Sequence, residues 1–542
     1  MKTQSTVAIA LIAINAVATA QAPARVELVD LDIVHRIKQE ATQNSKVMNS
    51  VFQLTDVVGH RLTNSPGFFA AANWVEKQLK EWGMDAHQEK FEYGRGWTFT
   101  HFSAHMVEPV AATLIGVPLA YTPGTKGKVS GEVMVVTMAN DADLEKYKGK
   151  LKGKILLMGP GREVTAPTTL LTRRYTDQEL EALVSPGAAR GGAVPGTAAL
   201  AAANNDGKGG PGRGGRGGNA NGDAPAQTPA QIFTAKLNKF LVDEGVLVAV
   251  RIGNNPSDGG TVFAATGGSR DPKDPVPPPM VALAPDSYNR ILRLLDAKIP
   301  VKLEFDITAE TFARTDSVNV IGEIPGGSKK DEIVMIGAHL DSWQGGTGAT
   351  DNAAGSAVMM EVMRILKTLK LPMDRTVRIA LWGGEEQGLL GSRAYVNEHF
   401  SARDMKVTSQ HAKLSGYFNV DNGTGKIRGV YLQGNDRMRP IFEAWFKPFA
   451  DMGAGTISIR DTGGTDHTNF DAVGLPGFQF IQDAIDYSTR THHSNMDVYD
   501  RVQRDDLQQA AAIVASFVYN TATRPEMLPR EPLPPPAPNP AR

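Results

Sequence analysis

Cysteine is absent from the chain, and no long apolar run follows the first twenty residues. Without thiols the protein forms neither disulfides nor thiolate metal sites, so His, Asp and Glu remain as ligands for a metal ion. No later apolar run approaches the ~18 residues that a membrane span needs, which argues against stable membrane insertion. Lys and Arg number 57 against 58 for Asp and Glu, so there is no basic surplus for binding nucleic acid.

Residues 1–20 have the features of a secretory signal peptide. Lys2 precedes the apolar run Val7–Ile14, and an Ala-Thr-Ala site of small residues precedes Gln21. The sequence therefore predicts an exported protein, either periplasmic or secreted.

The length of 542 residues is too great for one ordinary hydrophobic core, so two domains with tails are expected. Residues 109–305 alternate short β-like runs with Gly and Pro, which indicates a β-rich insert between segments 26–108 and 306–524. Within the insert, residues 186–231 are rich in Gly and Ala and are predicted to form a flexible loop. The proline-rich residues 525–542 are predicted to be a disordered tail.

The segment 306–524 alternates strands with helices, which predicts an α/β domain with a mainly parallel sheet flanked by helices. Strands are expected at 318–323, 333–338, 377–382, 414–420, 429–433 and 477–481. Helices are expected at 353–370, 388–399, 438–450 and 504–520.

The rest of the chain is organised around Ile333–Ser356, which reads IVMIGAHLDSWQGGTGATDNAAGS. The apolar run Ile333–Ile336 predicts a buried strand, and a helix is expected to begin after residue 352. His339, Asp341 and Asp351 lie between them, where open α/β sheets place their ligand sites. The helix is expected to turn its polar residues, Glu361, Arg364 and Lys367, away from the core.

Further acidic and imidazole groups follow the other predicted strands. They are Glu385 and Glu386 after residues 376–384, Asp421 after residues 414–420, and His493 beyond residues 477–481. Each taken alone has a structural explanation as a turn residue, a helix cap or a packed histidine. Together, four carboxylates at one edge of a sheet would repel each other, and two divalent cations would relieve that repulsion. Carboxylate and imidazole ligands favour zinc first.

Five motifs resemble those of the co-catalytic zinc peptidases of family M28, most like its carboxypeptidase Q-like branch. They read HLDSWQGGTGATDNAAGS, LWGGEEQGLLGS, NVDNGTG, GGTDHTNFDAVGLPG and HHSNMD. The resemblance implies the zinc-exopeptidase fold, a mixed and mainly parallel sheet flanked by helices. In the insert, KGKVSGEVMVV, GKILLM and PMVALAPDSYNRIL resemble a protease-associated domain.

The resemblance also implies the role of each residue. Two zinc ions per chain would share Asp351, with His339 and Asp421 on one ion and Glu386 and His493 on the other. Glu385 would be the general base and acid of catalysis, and the peptide bond Asp351–Asn352 would be cis.

Other residues near these motifs receive supporting roles. Asp341 is expected to accept the free N–H of the His339 imidazole and fix its tautomer. His493 is preferred over its neighbour His492 as a ligand because the family motif places the ligand just before Ser-x-x-Asp. His492 would then line the substrate pocket. Asp466 would support the ligands from behind, line the pocket, or form part of a plain turn.

The predicted function is that of an exported di-zinc exopeptidase, an aminopeptidase or dipeptidase acting on short peptides. The insert would act as a lid that restricts access, and the chain is a candidate homodimer. Alternatives on the same fold are an acidic-dipeptide carboxypeptidase, a single-zinc glutaminyl cyclase and a non-catalytic receptor-like binding protein. The full set of five ligands argues against the cyclase. The GRGGRGG run at 212–218 resembles RNA-binding repeats, but it contains no aromatics.

Overall fold

The computed structural model describes residues 27–184, 228–253, 259–263, 266–402 and 405–535. The predicted signal peptide and most of the predicted loop at 186–231, with its GRGGRGG run, lie outside the described residues. Among the helices of the described ranges, none combines the length and apolar character required to cross a membrane.

The strands are, in chain order, β1 (Asp85–Glu92), β2 (Gly96–Glu108), β3 (Ala112–Thr113), β4 (Gly116–Pro118), β5 (Val129–Val136), β6 (Ile155–Met158), β7 (Val248–Ile252), β8 (Met280–Leu283), β9 (Lys302–Phe312), β10 (Asp316–Ile324), β11 (Lys329–His339), β12 (Arg375–Trp382), β13 (Leu414–Asn419), β14 (Ile427–Tyr431), β15 (Thr456–Ser458) and β16 (Gly477–Gln482). The α-helices are α1 (Leu31–Gln43), α2 (Val47–Phe52), α3 (Pro66–Glu81), α4 (Asp141–Tyr147), α5 (Asp177–Val184), α6 (Pro229–Asp243), α7 (Pro285–Asp296), α8 (Ala354–Thr368), α9 (Leu390–His399), α10 (Arg439–Phe446), α11 (His467–Asp471) and α12 (Arg504–Thr523).

The first sheet has the strand order β1-β10-β12-β11-β13-β16-β14-β15. Its four central strands, β12, β11, β13 and β16, are parallel neighbours, whereas β1 and β10 pair antiparallel at one side. Apolar residues of α1, α8 and α12 pack on one face of this sheet, and residues of α9 and α11 pack on the other. The prediction of an α/β fold with a mixed, helix-flanked sheet is therefore confirmed, and parallel pairing aligns the C-terminal ends of the central strands at one edge.

The polar face of α8 does not face solvent as the sequence pattern predicted. Glu361 and Arg364 are buried, and the Arg364 guanidinium donates to the carboxylates of Glu361 and Glu40, the latter on α1. The backbone N–H of Lys46, which precedes α2, donates to Glu361. Helices α1 and α2 thus cover this face, and an ion-pair network satisfies the buried charges, as buried charges require.

The second sheet has the order β3-β2-β9-β5-β6-β7-β8-β4 and begins earlier in the chain than predicted. Strands β2 and β9 pair along their length, from Gly96 opposite Phe312 to Glu108 opposite Lys302. The sequence analysis placed all of β2 and residues 306–312 of β9 in the segments 26–108 and 306–524, outside the insert. The chain crosses between the sheets at residues 93–95 and 313–315, where strand pairing rather than composition sets the division.

Two segments that were predicted to be irregular are partly ordered. Residues 229–231 of the predicted loop form the first turn of α6, because Thr228 and Gln231 make a reciprocal capping box at its N-terminus. Residues 525–535 of the predicted tail pack against the first domain, where Leu528 is buried and Arg530 donates to the carbonyl of His411. Proline here limits regular structure without preventing packing.

Candidate metal centre

The polar groups singled out by sequence lie at the C-terminal ends of the parallel strands. Strand β11 ends at His339, and the following loop carries Asp351 to the start of α8. Glu385 and Glu386 follow β12, Asp421 follows β13, and His493 lies in the loop beyond β16. Because these four strands are neighbours and parallel, their loops meet at one edge of the sheet.

The five proposed ligands form two groups that share Asp351. Nε2 of His339 lies 3.2 Å from Oδ1 of Asp351 and 3.3 Å from Oδ1 of Asp421. Nε2 of His493 lies 2.8 Å from Oε2 of Glu386 and 3.3 Å from Oδ2 of Asp351. The Asp351 carboxylate therefore turns one oxygen towards each group. Its peptide bond to Asn352 is cis, as the resemblance implies.

The hydrogen bonding of the carboxylates fits a metal site. Oδ2 of Asp351, Oε1 of Glu386 and Oδ1 of Asp421 are buried and accept no hydrogen bond within the described residues. Buried polar atoms are almost always satisfied, so three exceptions within one cluster call for a further partner. Carboxylate oxygens with imidazole nitrogens form a donor set that zinc accepts.

The electrostatics of the cluster also favour a metal site. Burial raises the pKa of Glu385 and of Glu386 well above the ordinary value. Burial alone would lower the pKa of His339, but the carboxylates of Asp421 and Glu385 raise it well above its usual range. Burial lowers the pKa of His493, which leaves a neutral ring with a lone pair to donate. The buried carboxylates thus favour a bound cation at this position.

Asp341 is near His339 but does not hold its ring as predicted. Nδ1 of His339 lies 2.9 Å from the carbonyl oxygen of Asp341, whereas the nearest carboxylate oxygen is 3.6 Å away. The Asp341 carboxylate instead accepts the hydroxyl of Thr63 at 2.8 Å and the backbone N–H groups of Glu385 and Glu386 at 3.2 and 3.4 Å. The carbonyl, which the sequence argument did not consider, sets the tautomer, while the carboxylate holds the loop that carries the two glutamates.

His492 and His493 are both close to the cluster, and the distances separate them. Nε2 of His492 lies 3.9 Å from Oδ2 of Asp351, compared with 3.3 Å for His493. The two rings stack with their centroids 3.6 Å apart, and the Trp343 ring meets His493 edge-on. Burial lowers the pKa of His492 to about 3, so this ring is also neutral.

Asp466 lies near enough to His339 and Asp421 to interact with their charges, and it has no exposed surface. One carboxylate oxygen accepts the hydroxyl of Ser392, while the other accepts no hydrogen bond among the described residues. Burial raises the pKa of Asp466 to about 7. The structure therefore brings Asp466 to the site's interior and not to an open pocket wall.

Arg61 was not singled out by sequence, yet its side chain joins the loops of the site. The guanidinium is fully buried and donates to backbone carbonyls on both sides of the loop after β11, those of Leu340, Thr347 and Gly348 at 2.7–2.8 Å. Burial lowers the pKa of Arg61 to about 10, so the group stays charged at neutral pH. No local pattern signals this role, because the partners lie far away in the chain.

Asp497 is a second residue whose role was missed, since it was quoted only as the end of a motif. Its carboxylate accepts the backbone N–H groups of Thr350 and Asp351 at 2.6 and 3.1 Å. Its carbonyl accepts the N–H of Thr347, and a Cβ at Gly346 would lie 2.5 Å from that same carbonyl oxygen. Glycine at 346 thus permits the close approach that joins the Asp351 loop to the His493 loop.

Comparisons with known proteins find relatives that are peptidases by name. Residues 319–518 match the model of peptidase family M28. Carboxypeptidase Q of Rattus norvegicus is 29% identical over 252 residues, covering 46% of this chain and 51% of the relative. Aminopeptidase YwaD of Bacillus subtilis is 30% identical over 228 residues, covering 41% of this chain and 48% of the relative. The chain thus spans about half the length of the curated relatives it matches.

Solved structures share the fold over most of the chain. A peptidase M28 precursor from Shewanella amazonensis has a TM-score of 0.63 at 24% identity, with 93% of this chain and 98% of that chain covered. The zinc aminopeptidase BSAP from Bacillus subtilis has a TM-score of 0.52 at 18% identity, with 88% and 94% covered. The family model thus identifies residues 319–518 of this chain as a peptidase family M28 domain.

Proposed function

We propose that the protein is a zinc-dependent exopeptidase that hydrolyses peptide bonds of short peptides, of the aminopeptidase or dipeptidase type. The observation that carries this proposal is the meeting of five ligand-type side chains around a shared Asp351, with Glu385 beside them. Oε2 of Glu385 lies 4.0 Å from Nε2 of His339, and His339, Glu385 and Asp421 also form a group that could hold a metal ion. We assign Glu385 to proton transfer rather than to a metal ion because the family resemblance gives it that role.

In this proposal two zinc ions occupy the centre. His339 and Asp421 would hold one ion, Glu386 and His493 the other, and Asp351 both. When bound, the pair supplies polarisation of the scissile carbonyl and acidification of the attacking water. The three ligand carboxylates then balance most of the positive charge of the two ions. This pairing explains why three carboxylates are tolerated at a buried position.

Glu385 is proposed as the group that moves the proton. Its raised pKa lets the carboxylate take a proton from the attacking water and deliver it to the leaving amine. The Asp341 carboxylate accepts hydrogen bonds from the backbone N–H groups of Glu385 and Glu386 and so holds this turn. In the proposal the Glu386 side chain then binds metal while the Glu385 side chain transfers the proton. The Glu385 side chain is almost entirely buried, so bulk water does not compete with it as the proton acceptor.

The remaining assignments are proposals of the same kind. His492 would face the substrate, since it lies beside Asp351 but further away than His493. Asp466, being fully buried, would act on the site through Ser392 and through its charge. The second sheet would limit access to short peptides, as a protease-associated insert does by analogy of fold. Export, by way of residues 1–20, remains a prediction from sequence.

The curated relatives carry both carboxypeptidase and aminopeptidase names, so the test has to distinguish the two ends of a peptide. The test measures hydrolysis of aminoacyl anilides, free dipeptides, N-blocked peptides and acidic dipeptides by the purified protein. Each assay is run as isolated, after treatment with a chelator, and after zinc is restored.

An exopeptidase of the proposed type cleaves peptides with a free N-terminus, loses activity with the chelator and regains it with zinc. Cleavage of N-blocked peptides alone would favour the carboxypeptidase alternative. Activity that persists after complete removal of metal would contradict the proposal, and a protein that binds no zinc would favour the receptor-like alternative.

A further inference from the structure

The loop that carries His493 is held by the second sheet's domain as well as by its own. Upstream of His493, the hydroxyl of Thr489 donates to the carbonyl of Leu171, and the backbone N–H of Arg173 donates to the carbonyl of Ile485. Both Leu171 and Arg173 belong to the segment that precedes α5. The loop therefore contacts residues of the insert before it reaches the metal centre.

The contact just downstream of His493 is denser. Asn495 makes three hydrogen bonds with the short segment before Phe263: its backbone N–H donates to the carbonyl of Val262 at 3.2 Å, its Oδ1 accepts the N–H of Val262 at 2.7 Å, and its Nδ2 donates to the carbonyl of Gly260 at 3.1 Å. Ser494 and Phe263 add an antiparallel bridge. Val262 is fully buried in this contact.

The backbone of His493 itself needs such support. Its φ of 57° lies in the left-handed region, which residues other than glycine adopt only when their surroundings hold them there. This conformation directs Nε2 of His493 to within 2.8 Å of Oε2 of Glu386. Two residues further on, Asn495 ties the chain to Gly260 and Val262 and so limits how far the turn relaxes.

We propose that Asn495 is a positioning residue for the metal centre, through which the insert's residues 260–263 hold His493 in its ligand orientation. The insert then forms part of the site's framework, in addition to any effect on access. This inference rests on the proposed function, because it assumes that His493 binds zinc. It assigns no direct contact between Asn495 and substrate or metal.

The test compares Asn495→Ala with Ser458→Ala in the full chain. Ser458 is a matched control, because its buried hydroxyl also donates one hydrogen bond to the insert, to the carbonyl of Leu183 at 2.7 Å, but lies on β15 away from His493. Zinc affinity is measured for both ions by competition with a chromogenic chelator, beside circular dichroism and urea unfolding. These readouts do not depend on activity.

If Asn495 positions His493, Asn495→Ala binds the weaker zinc ion about 10- to 100-fold less tightly, because the support of a metal-binding histidine is removed. Ser458→Ala keeps the affinity of the unsubstituted chain within about twofold, since it leaves that support intact. If Asn495→Ala does not fold, Asn495→Leu is measured instead, because it is similar in shape to Asn and makes neither side-chain hydrogen bond.

Unchanged zinc affinity in a folded Asn495 variant overturns the inference, and so does an equal loss in Ser458→Ala. An unsubstituted chain that binds fewer than two zinc ions is a different result, because it contradicts the proposed function before the variants are compared.

Discussion

The carboxylate of Asp341 accepts the backbone N–H of Glu385 at a distance of 3.2 Å. One loop of the centre thereby fixes the backbone of the next, and the backbone that carries the proposed base cannot turn without breaking this contact. The carboxylate also accepts the N–H of Glu386 and the hydroxyl of Thr63. Asp341 thus connects the β11 end, the β12 end and the segment before α3.

Replacing Asp341 with Asn separates this role from the tautomer role expected from sequence. The amide has one acceptor oxygen in place of two, so one of the N–H groups loses its partner. We expect kcat to fall about 10- to 100-fold while zinc content stays at the unsubstituted level. The measurement combines steady-state kinetics with metal analysis. Loss of zinc without a change in kcat per bound zinc would instead support the tautomer role.

Replacing Glu385 with Gln tests the proton transfer itself. The amide keeps the shape of the side chain but accepts no proton at working pH, so we expect kcat to fall by about 10²–10⁴. Zinc content and KM should change little, because neither ligand pair includes this residue. The measurement is kcat and KM on the panel substrate that is cleaved fastest, together with zinc content. Retention of activity would show that another group moves the proton.

Arg61→Lys tests the guanidinium that joins the carbonyls of Leu340, Thr347 and Gly348. A lysine offers one point charge in place of the planar fork, so several of these carbonyls lose their donor. We expect the free energy of unfolding to fall by about 3 kcal/mol. Arg36→Lys is the control, since Arg36 is exposed and donates to the carbonyl of Leu369. It should change stability by less than about 0.5 kcal/mol in urea unfolding.

Glu40→Gln tests the buried network under α8 through its pH dependence. Burial alone would raise the pKa of Glu40, but hydrogen bonds from Arg364 and Asn44 lower it below its ordinary value. Because the folded state favours the ionised form, this stabilisation is complete above the unfolded-state pKa and is lost as pH falls through the lower folded-state pKa. We expect the variant to be about 2 kcal/mol less stable at pH 7.

The difference between Glu40→Gln and the unsubstituted protein should shrink in acid, below about pH 4. Urea unfolding at both pH values measures it. Glu81→Gln is the control, because Glu81 forms an exposed pair with Lys77 and such pairs contribute little. A difference that persists in strong acid would show that packing, and not the ion pair with Arg364, accounts for the loss.

The sequence predicted the local elements around the site because their patterns are local. The apolar run at 333–336 lies within β11, and the expected helix at 353–370 is α8 at 354–368. The prediction that polar residues at four strand ends meet required only that these strands be parallel neighbours in the sheet. From this condition alone the sequence brought His339, Asp351, Glu386, Asp421 and His493 to one edge.

What failed or was missed depends on distant contacts. The helical period placed Glu361 and Arg364 on the face opposite the core, but it contains no information on α1 and α2, which cover that face. Arg61 and Asn495 have their partners in other loops or in the insert, so neither residue stands out in one sequence. The predicted boundary at residue 108 differs from the division between the sheets because β2 pairs with β9, and composition contains no information on pairing partners.

The pairing of β1 with β10 makes completion of the first sheet depend on residues that are synthesised late. Strand β1 has no neighbour in the first sheet other than β10 among the described residues, and the whole second sheet's domain is encoded between them. On the ribosome, the N-terminal helices and β1 must wait, with apolar surface uncovered, until residues 316–324 emerge. We therefore expect the nascent chain to rely on chaperones up to that point, and the second sheet to mature before the first.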